Sequence, residues 1–145
     1  MTPDALAAAA VREVVELHEF FGDWLRPDGK PAFGLDRLVQ VLADGFRLIT
    51  PDGRILERNA VIGWIDTARG SRATDFRIEV SDMRPVWQSS EAVLLDYVET
   101  QYGLGKTTRR QSSALMAAAL TSGAPAAPLG VAWVHLQETW LQSAD

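Results

Sequence analysis

No cysteine occurs anywhere in this chain, so disulfides, thiolate metal sites and cysteine nucleophiles are excluded. Histidine is nearly as scarce, at two residues. His18 and His135 lie far apart and make no recognisable metal-ligand spacing, so neither a metal nor a cofactor is expected. No apolar run approaches the ~20 residues that a membrane span requires. No basic region precedes the alanine stretch near the N-terminus, which argues against a secretory leader and for the cytoplasm. Positive charge is also in deficit: 14 Lys and Arg stand against 19 Asp and Glu, a net charge of −5. Arg109-Arg110 is the single adjacent basic pair, so the clustered basic face that a nucleic acid needs is missing. No serine sits in a G-x-S-x-G elbow, which removes the usual sequence sign of a Ser-His-Asp triad.

What remains is ordinary globular material. The 145 residues, 47% of them hydrophobic, suit a single domain over 1–145 with one core. Thr2 can cap a helix that has Pro3 at its first position and Asp4 in its first turn. Val11, Val14, His18, Phe21 and Leu25 recur at steps of three and four and form one stripe before Pro27-Asp28-Gly29 stops the helix. Leu35, Leu38, Val39 and Leu42 predict a second, shorter helix with Gly45 as its cap. Phe46 to Thr50 reads as a strand, and Pro51-Asp52-Gly53 supplies a turn that returns Arg54 to Leu56 as its hairpin partner. Asn59 is placed to cap a third helix through Val61, Trp64, Ile65 and Ala68, ending at Gly70. Beyond Gly70, Phe76 to Trp87, Ala92 to Tyr102 and Val131 to Leu141 are rich in β-branched and aromatic residues and predict long strands. Thr107 to Leu120 contains an alanine-rich stretch of high helix propensity; the short glycine-containing link before it and the Ser-Gly-Ala-Pro-Ala-Ala-Pro-Leu-Gly loop after it make a strand of a meander the expectation.

Gly103-Leu104-Gly105-Lys106-Thr107-Thr108 ends like a phosphate-binding loop. The full motif needs glycine at position 100, which is Thr100, and a helix where a strand is expected.

Helix, helix, short hairpin, helix and four long strands is the order of the nuclear-transport-factor-2-like superfamily. The stretches Phe46 to Gly53, Tyr97 to Gln101 and Trp133 to Leu141 carry the resemblance. They are similar to the SnoaL-like branch and to the association domain of calcium/calmodulin-dependent kinases. Members of the branch often end in His-x-His-x-Ser/Thr; here His135 and Thr139 match, while Gln137 replaces the second His. The resemblance implies an α+β, cone-shaped fold with three N-terminal helices packed on the concave face of a curved, mainly antiparallel sheet, around a pocket. It does not imply one function, because the superfamily spans enzymes, transport factors and association modules.

Three helices cover only one face of such a sheet, and both alternations of Ala92 to Tyr102 are apolar. A second copy is the simplest cover for the other face, so a homodimer is expected through Val93, Leu95, Tyr97, Trp133 and His135. By the strand pattern that the resemblance implies, the pocket is lined by His18, Leu94, Asp96, Val98, Arg110, Ala114, Leu136 and Glu138. Asp96, among apolar neighbours, is a candidate acid or base; Glu138 and His18 are its candidate partners. The related kinase domains carry basic residues at the positions of Val98, Ala114 and Glu138, so this pocket is expected to be apolar to acidic. Two functions stay open: a dimeric association or binding module for a small apolar ligand, or an isomerase, cyclase or hydrolase using a pocket carboxylate as base.

Overall fold

The computed structural model describes residues 1–141. Helix α1 (Pro3–Leu25) starts as its sequence dictates, with the Thr2 hydroxyl accepting from the Ala5 N–H and proline in the first turn. Its buried stripe includes Leu6, Ala10, Glu13, Val14, Leu17, His18 and Phe20. A four-residue helix, α2 (Asp36–Val39), leads into β1 (Leu42–Ile49), the short β2 (Ile55–Glu57) and α3 (Arg58–Thr67). Four long strands follow: β3 (Arg77–Gln88), β4 (Ala92–Tyr102), β5 (Thr108–Ala118) and β6 (Val131–Trp140). Together they form one six-stranded sheet in the order β2-β1-β6-β5-β4-β3, in which only the β1–β6 pairing is parallel. No helix among the described residues is long and apolar enough to cross a membrane.

The alanine-rich segment is the strand β5 because tertiary pairing overrides its helix propensity. β5 is hydrogen-bonded along its length to β4 on one side and β6 on the other, and Ala114 and Met116 are fully buried beneath α1. The second helix is shorter than its apolar spacing predicts. Leu42 already pairs with Trp133 in the parallel ladder, and the Val41 carbonyl accepts from the Trp133 N–H. Gly45 therefore lies inside β1 and not at a helix cap. Asn59 is likewise inside α3, whose N-cap is Glu57. Most of the roof over the sheet is α1, whereas α3 covers the β1–β2 hairpin.

Two irregularities set which side chains face the roof. β3 carries two bulges, the first beside Asp82, which holds a positive φ of 53°. In β6, Met116 pairs with Trp133 and Leu115 with His135, so Val134 has no partner across the ladder. This extra residue reverses the alternation. Trp133 points up into the core and so do Leu136 and Glu138, while His135 points away.

Candidate functional site

Between α1, α3, the β1–β2 hairpin and the concave side of β4–β6 lies a cavity of about 440 Å³. Its walls are apolar, from Leu17, Phe21, Leu48, Val61, Ile65 and Leu136. Asp52, Arg54, Trp64 and Trp140 stand at its mouth, and His18, Glu99, Gln101, Arg110 and Glu138 make its floor.

The floor is set by register. Glu99 on β4 pairs with Arg110 on β5, which pairs with Trp140 on β6; in the adjacent row Tyr97, Ser112 and Glu138 follow one another across the same strands. α1 lowers His18 onto them, its ring edge-on to Tyr97 at 5.5 Å. His18 Nδ1 donates to the Val14 carbonyl at 2.7 Å and Nε2 donates to Glu99 Oε1 at 3.0 Å. Both partners are acceptors, so the arrangement fits the doubly protonated imidazolium. Burial opposes that charge, but the Glu99 carboxylate and the Val14 carbonyl outweigh it and raise the His18 pKa above its ordinary value. Burial would likewise raise Glu99; the His18 charge and hydrogen bond, helped by Arg110 and Gln101, bring it down to about 2. The two form a fixed ion pair with both imidazole nitrogens committed.

Glu138 differs. Burial and then the neighbouring Glu99 charge push its carboxyl up to about 7, which Arg110 and His18 only partly offset. Arg110 reaches it with Nη1 at 3.4 Å while lying over the Trp140 ring at 4.7 Å. Trp140 in turn donates its Nε1–H to Asp52 at 3.1 Å, tying the last strand to the hairpin turn. Burial and the charges of Glu99 and Glu138 push the Tyr97 phenol up, which keeps it neutral. Glu138 is thus the floor group that exchanges a proton near neutrality, and it faces an apolar space.

A second buried ion pair holds the roof in place. Glu13 on α1 accepts from both Nη atoms of Arg37, at 2.7 and 3.2 Å, and from Trp133 Nε1 at 3.1 Å. Burial raises the Glu13 pKa despite Arg37 and Trp133. One carboxylate thereby links α1, α2 and β6.

This fold has solved counterparts. An NTF-2-like protein of unknown function from Pseudomonas aeruginosa is 27% identical with a TM-score of 0.79, over 92% of this chain and 99% of that one. The chain has the nuclear-transport-factor-2-like fold. The same fold appears in a putative calcium/calmodulin-dependent kinase II association domain from Exiguobacterium sibiricum, at 17% identity and a TM-score of 0.59 over 99% of both chains. It appears again in the CaMKII hub of S. rosetta, at 12% identity and 0.65 over 96% of each chain. No protein-family model and no curated protein matches the chain.

Within this NTF2-like cone, four residues expected at the pocket line the cavity: His18, Arg110, Leu136 and Glu138. Ala114 faces α1 in the packed core but does not reach the cavity wall. Leu94, Asp96 and Val98 do not face the cavity; they lie on the opposite side of β4, where Asp96 accepts from the Ser113 hydroxyl at 2.8 Å. The alternation expected inside is the one outside. For the same reason Val93, Leu95 and Tyr97 are fully buried under α1, and Trp133 is 2% exposed; none of the four is available as an outer face. Of the residues expected there, only His135 points outward. The cause is that both alternations of β4 are apolar, so hydrophobicity leaves their direction unset, and that Val134 puts Trp133 and His135 on different sides. Nor is the lining acidic, since Arg54, Arg72, Arg110 and His18 accompany Asp52, Glu99 and Glu138.

Glu13, Arg37 and Glu99 were not foreseen. A signal existed for the first, because Glu13 continues the Leu6-Ala10-Leu17 stripe at helical spacing. A signal for Glu99 was the alternation Val93-Leu95-Tyr97, free of charge until it reaches the residue that His18 needs opposite it.

Proposed function

We propose that this protein is a self-associating module whose single domain binds one small, largely apolar molecule in the cavity beneath α1. The observation that carries the reading is the cavity itself: about 440 Å³ of space with apolar walls and a short polar floor, within the size range of small-molecule sites. The test is titration with N-phenyl-1-naphthylamine, a neutral apolar fluorophore. Saturable binding near one molecule per chain, abolished by Leu136→Trp, supports the reading. Unsaturable binding, or binding indifferent to Leu136→Trp, overturns it.

Self-association finds support on the outer face of the sheet. Trp87, Leu94, Leu115 and His135 are register neighbours across β3, β4, β5 and β6, an apolar row that a second copy would cover. The words association domain and hub, used of two fold relatives, accord with that use of the fold.

A second reading is favoured by Glu138. A carboxyl near 7, facing an apolar space beside a fixed imidazolium–carboxylate pair, suits a general base that removes a proton from carbon in an isomerase or cyclase, or from an attacking water in a hydrolase. Asp96 has no place in such chemistry, since it lies on the far side of the sheet. Deuterium exchange at the methyl group of acetophenone reads the base directly. Enhancement over buffer that vanishes in Glu138→Gln supports an enzyme, and its absence in the unmodified protein leaves the binding module.

A further inference from the structure

Among the described residues three arginines line the cavity, and one of them, Arg72, combines a buried, unpartnered guanidinium N–H with the lack of an ion pair. Arg110 is paired with Glu138, while Arg54 is exposed at the mouth. Arg72 follows α3 in the chain, and its backbone N–H is held by the Leu25 carbonyl at 2.9 Å, which fixes where its side chain begins. That side chain lies over the Phe76 ring at 5.8 Å. Among the described residues it has no carboxylate within ion-pairing distance and donates no hydrogen bond, and its Nε–H is buried without a partner. The Nε–H of Arg110 is in the same condition. Two of the arginines that line one apolar cavity thus each carry a buried guanidinium N–H without an acceptor, and buried donors of this kind are normally satisfied.

We infer that the cavity is a site for a small monocarboxylic acid, its carboxylate held by Arg72 and its hydrocarbon body against Leu17, Phe21 and Ile65. A guanidinium presents a planar fork that matches a carboxylate. The charge count sets the number of negative charges at one. With Glu138 ionised, the lining's His18, Arg54, Arg72 and Arg110 exceed Asp52, Glu99 and Glu138 by one positive charge, and Arg54 is exposed at the mouth. A dianion would bring its second charge against the floor carboxylates. The side chain that makes this site is absent from the sequence-level picture of an acidic pocket, because Arg72 sits in a loop that no periodicity assigns.

This inference rests on the cavity reading proposed above and is tested so that the two fail separately. Octanoate, 1-octanol and octylamine are titrated into the intact protein, with the indole N–H signals of Trp64, Trp133 and Trp140 as cavity reporters in a two-dimensional NMR spectrum. Octanoate is expected to bind at least about tenfold tighter than 1-octanol, as one charge-assisted hydrogen bond would give, and Arg72→Gln is expected to erase that gap while 1-octanol binding persists. Arg72 makes no side-chain bond within the described residues, so the variant should keep its fold. Should it not, the three-ligand series on the unmodified protein still decides. Equal affinity for octanoate and 1-octanol overturns the carboxylate site and leaves the apolar cavity standing; so does a preference for octylamine. A preference for octanoate that survives Arg72→Gln overturns the role of Arg72. No binding by any of the three overturns the inference and the cavity reading together.

Discussion

Glu138 and His18 make the folded protein sensitive to pH in the same direction. The folded Glu138 keeps its proton to about pH 7 against an ordinary 4.5, so between those values the folded state binds more protons than the unfolded one, and stability falls as pH rises. The His18 pKa is raised from 6.5, and its contribution is complete below that value and lost as pH climbs through the folded one. Glu99 works the other way, but only as pH falls from 4.5 towards 2. Urea denaturation from pH 5 to 8 should therefore show declining stability, with Glu138 contributing on the order of 1–3 kcal/mol. Glu138→Gln should flatten most of that slope, and an unchanged slope would remove Glu138 as its source. Removing the imidazole is a harsher change. His18→Ala strands the Glu99 charge in a site where His18 and Glu99 are only 4% and 6% exposed, and should cost about 3–5 kcal/mol, read as a shift in the urea midpoint at constant slope.

Helices and strands differ in how much of themselves they announce. Caps, stripe and stop of α1 are all written locally, and so are the hairpin turn and the long strands. The direction of a strand's side chains is not local information. β4 is apolar on both alternations, and its orientation is decided by which charge can be neutralised inside. Glu99 meets His18 there, whereas Asp96 meets a serine on the outside. For this reason the fold was legible in the sequence and half of the expected pocket was not. The second helix fails for a related reason, since the parallel partner that turns Leu42 into strand lies some ninety residues later in the chain. Long-range ties of this kind also predict fragility. Arg37→Ala leaves Glu13 buried with only the Trp133 indole for company, at an expected cost of about 3–5 kcal/mol in chemical denaturation. The β4–β5 turn is similarly committed: Gly103 holds φ 83°, and an added Cβ would meet the Phe76 backbone at 2.7 Å. Gly103→Ala should lower the thermal midpoint well beyond the effect of alanine at Gly105, where nothing lies within 4 Å.

For the whole molecule, the open question is what meets the convex side of the sheet. Trp87 is 58% exposed there, next to Leu94 in the register row that runs on to Leu115. Sedimentation velocity at micromolar concentration should give a dimer, and Leu94→Glu with Leu115→Glu should give a monomer with an unchanged circular dichroism spectrum. A monomeric parent protein would reject the self-associating half of the proposed function without touching the cavity. The two sides are mechanically joined through β5, whose Ala114 supports the roof while its neighbours Ser113 and Leu115 face outward.

Val134 has a consequence of its own. It is the spare residue of the strand: deleting it should close the ladder into regular pairing, with Leu136 and Glu138 still beneath α1 and His135 still outside. A one-residue deletion past it, at Gln137, has no spare residue to absorb it and would turn Glu138 outward, replacing the titrating floor of the cavity without altering any floor residue's identity. A relative or graft that shortens this strand at Val134 keeps the chemistry, and one that shortens it between Val134 and Glu138 forfeits it.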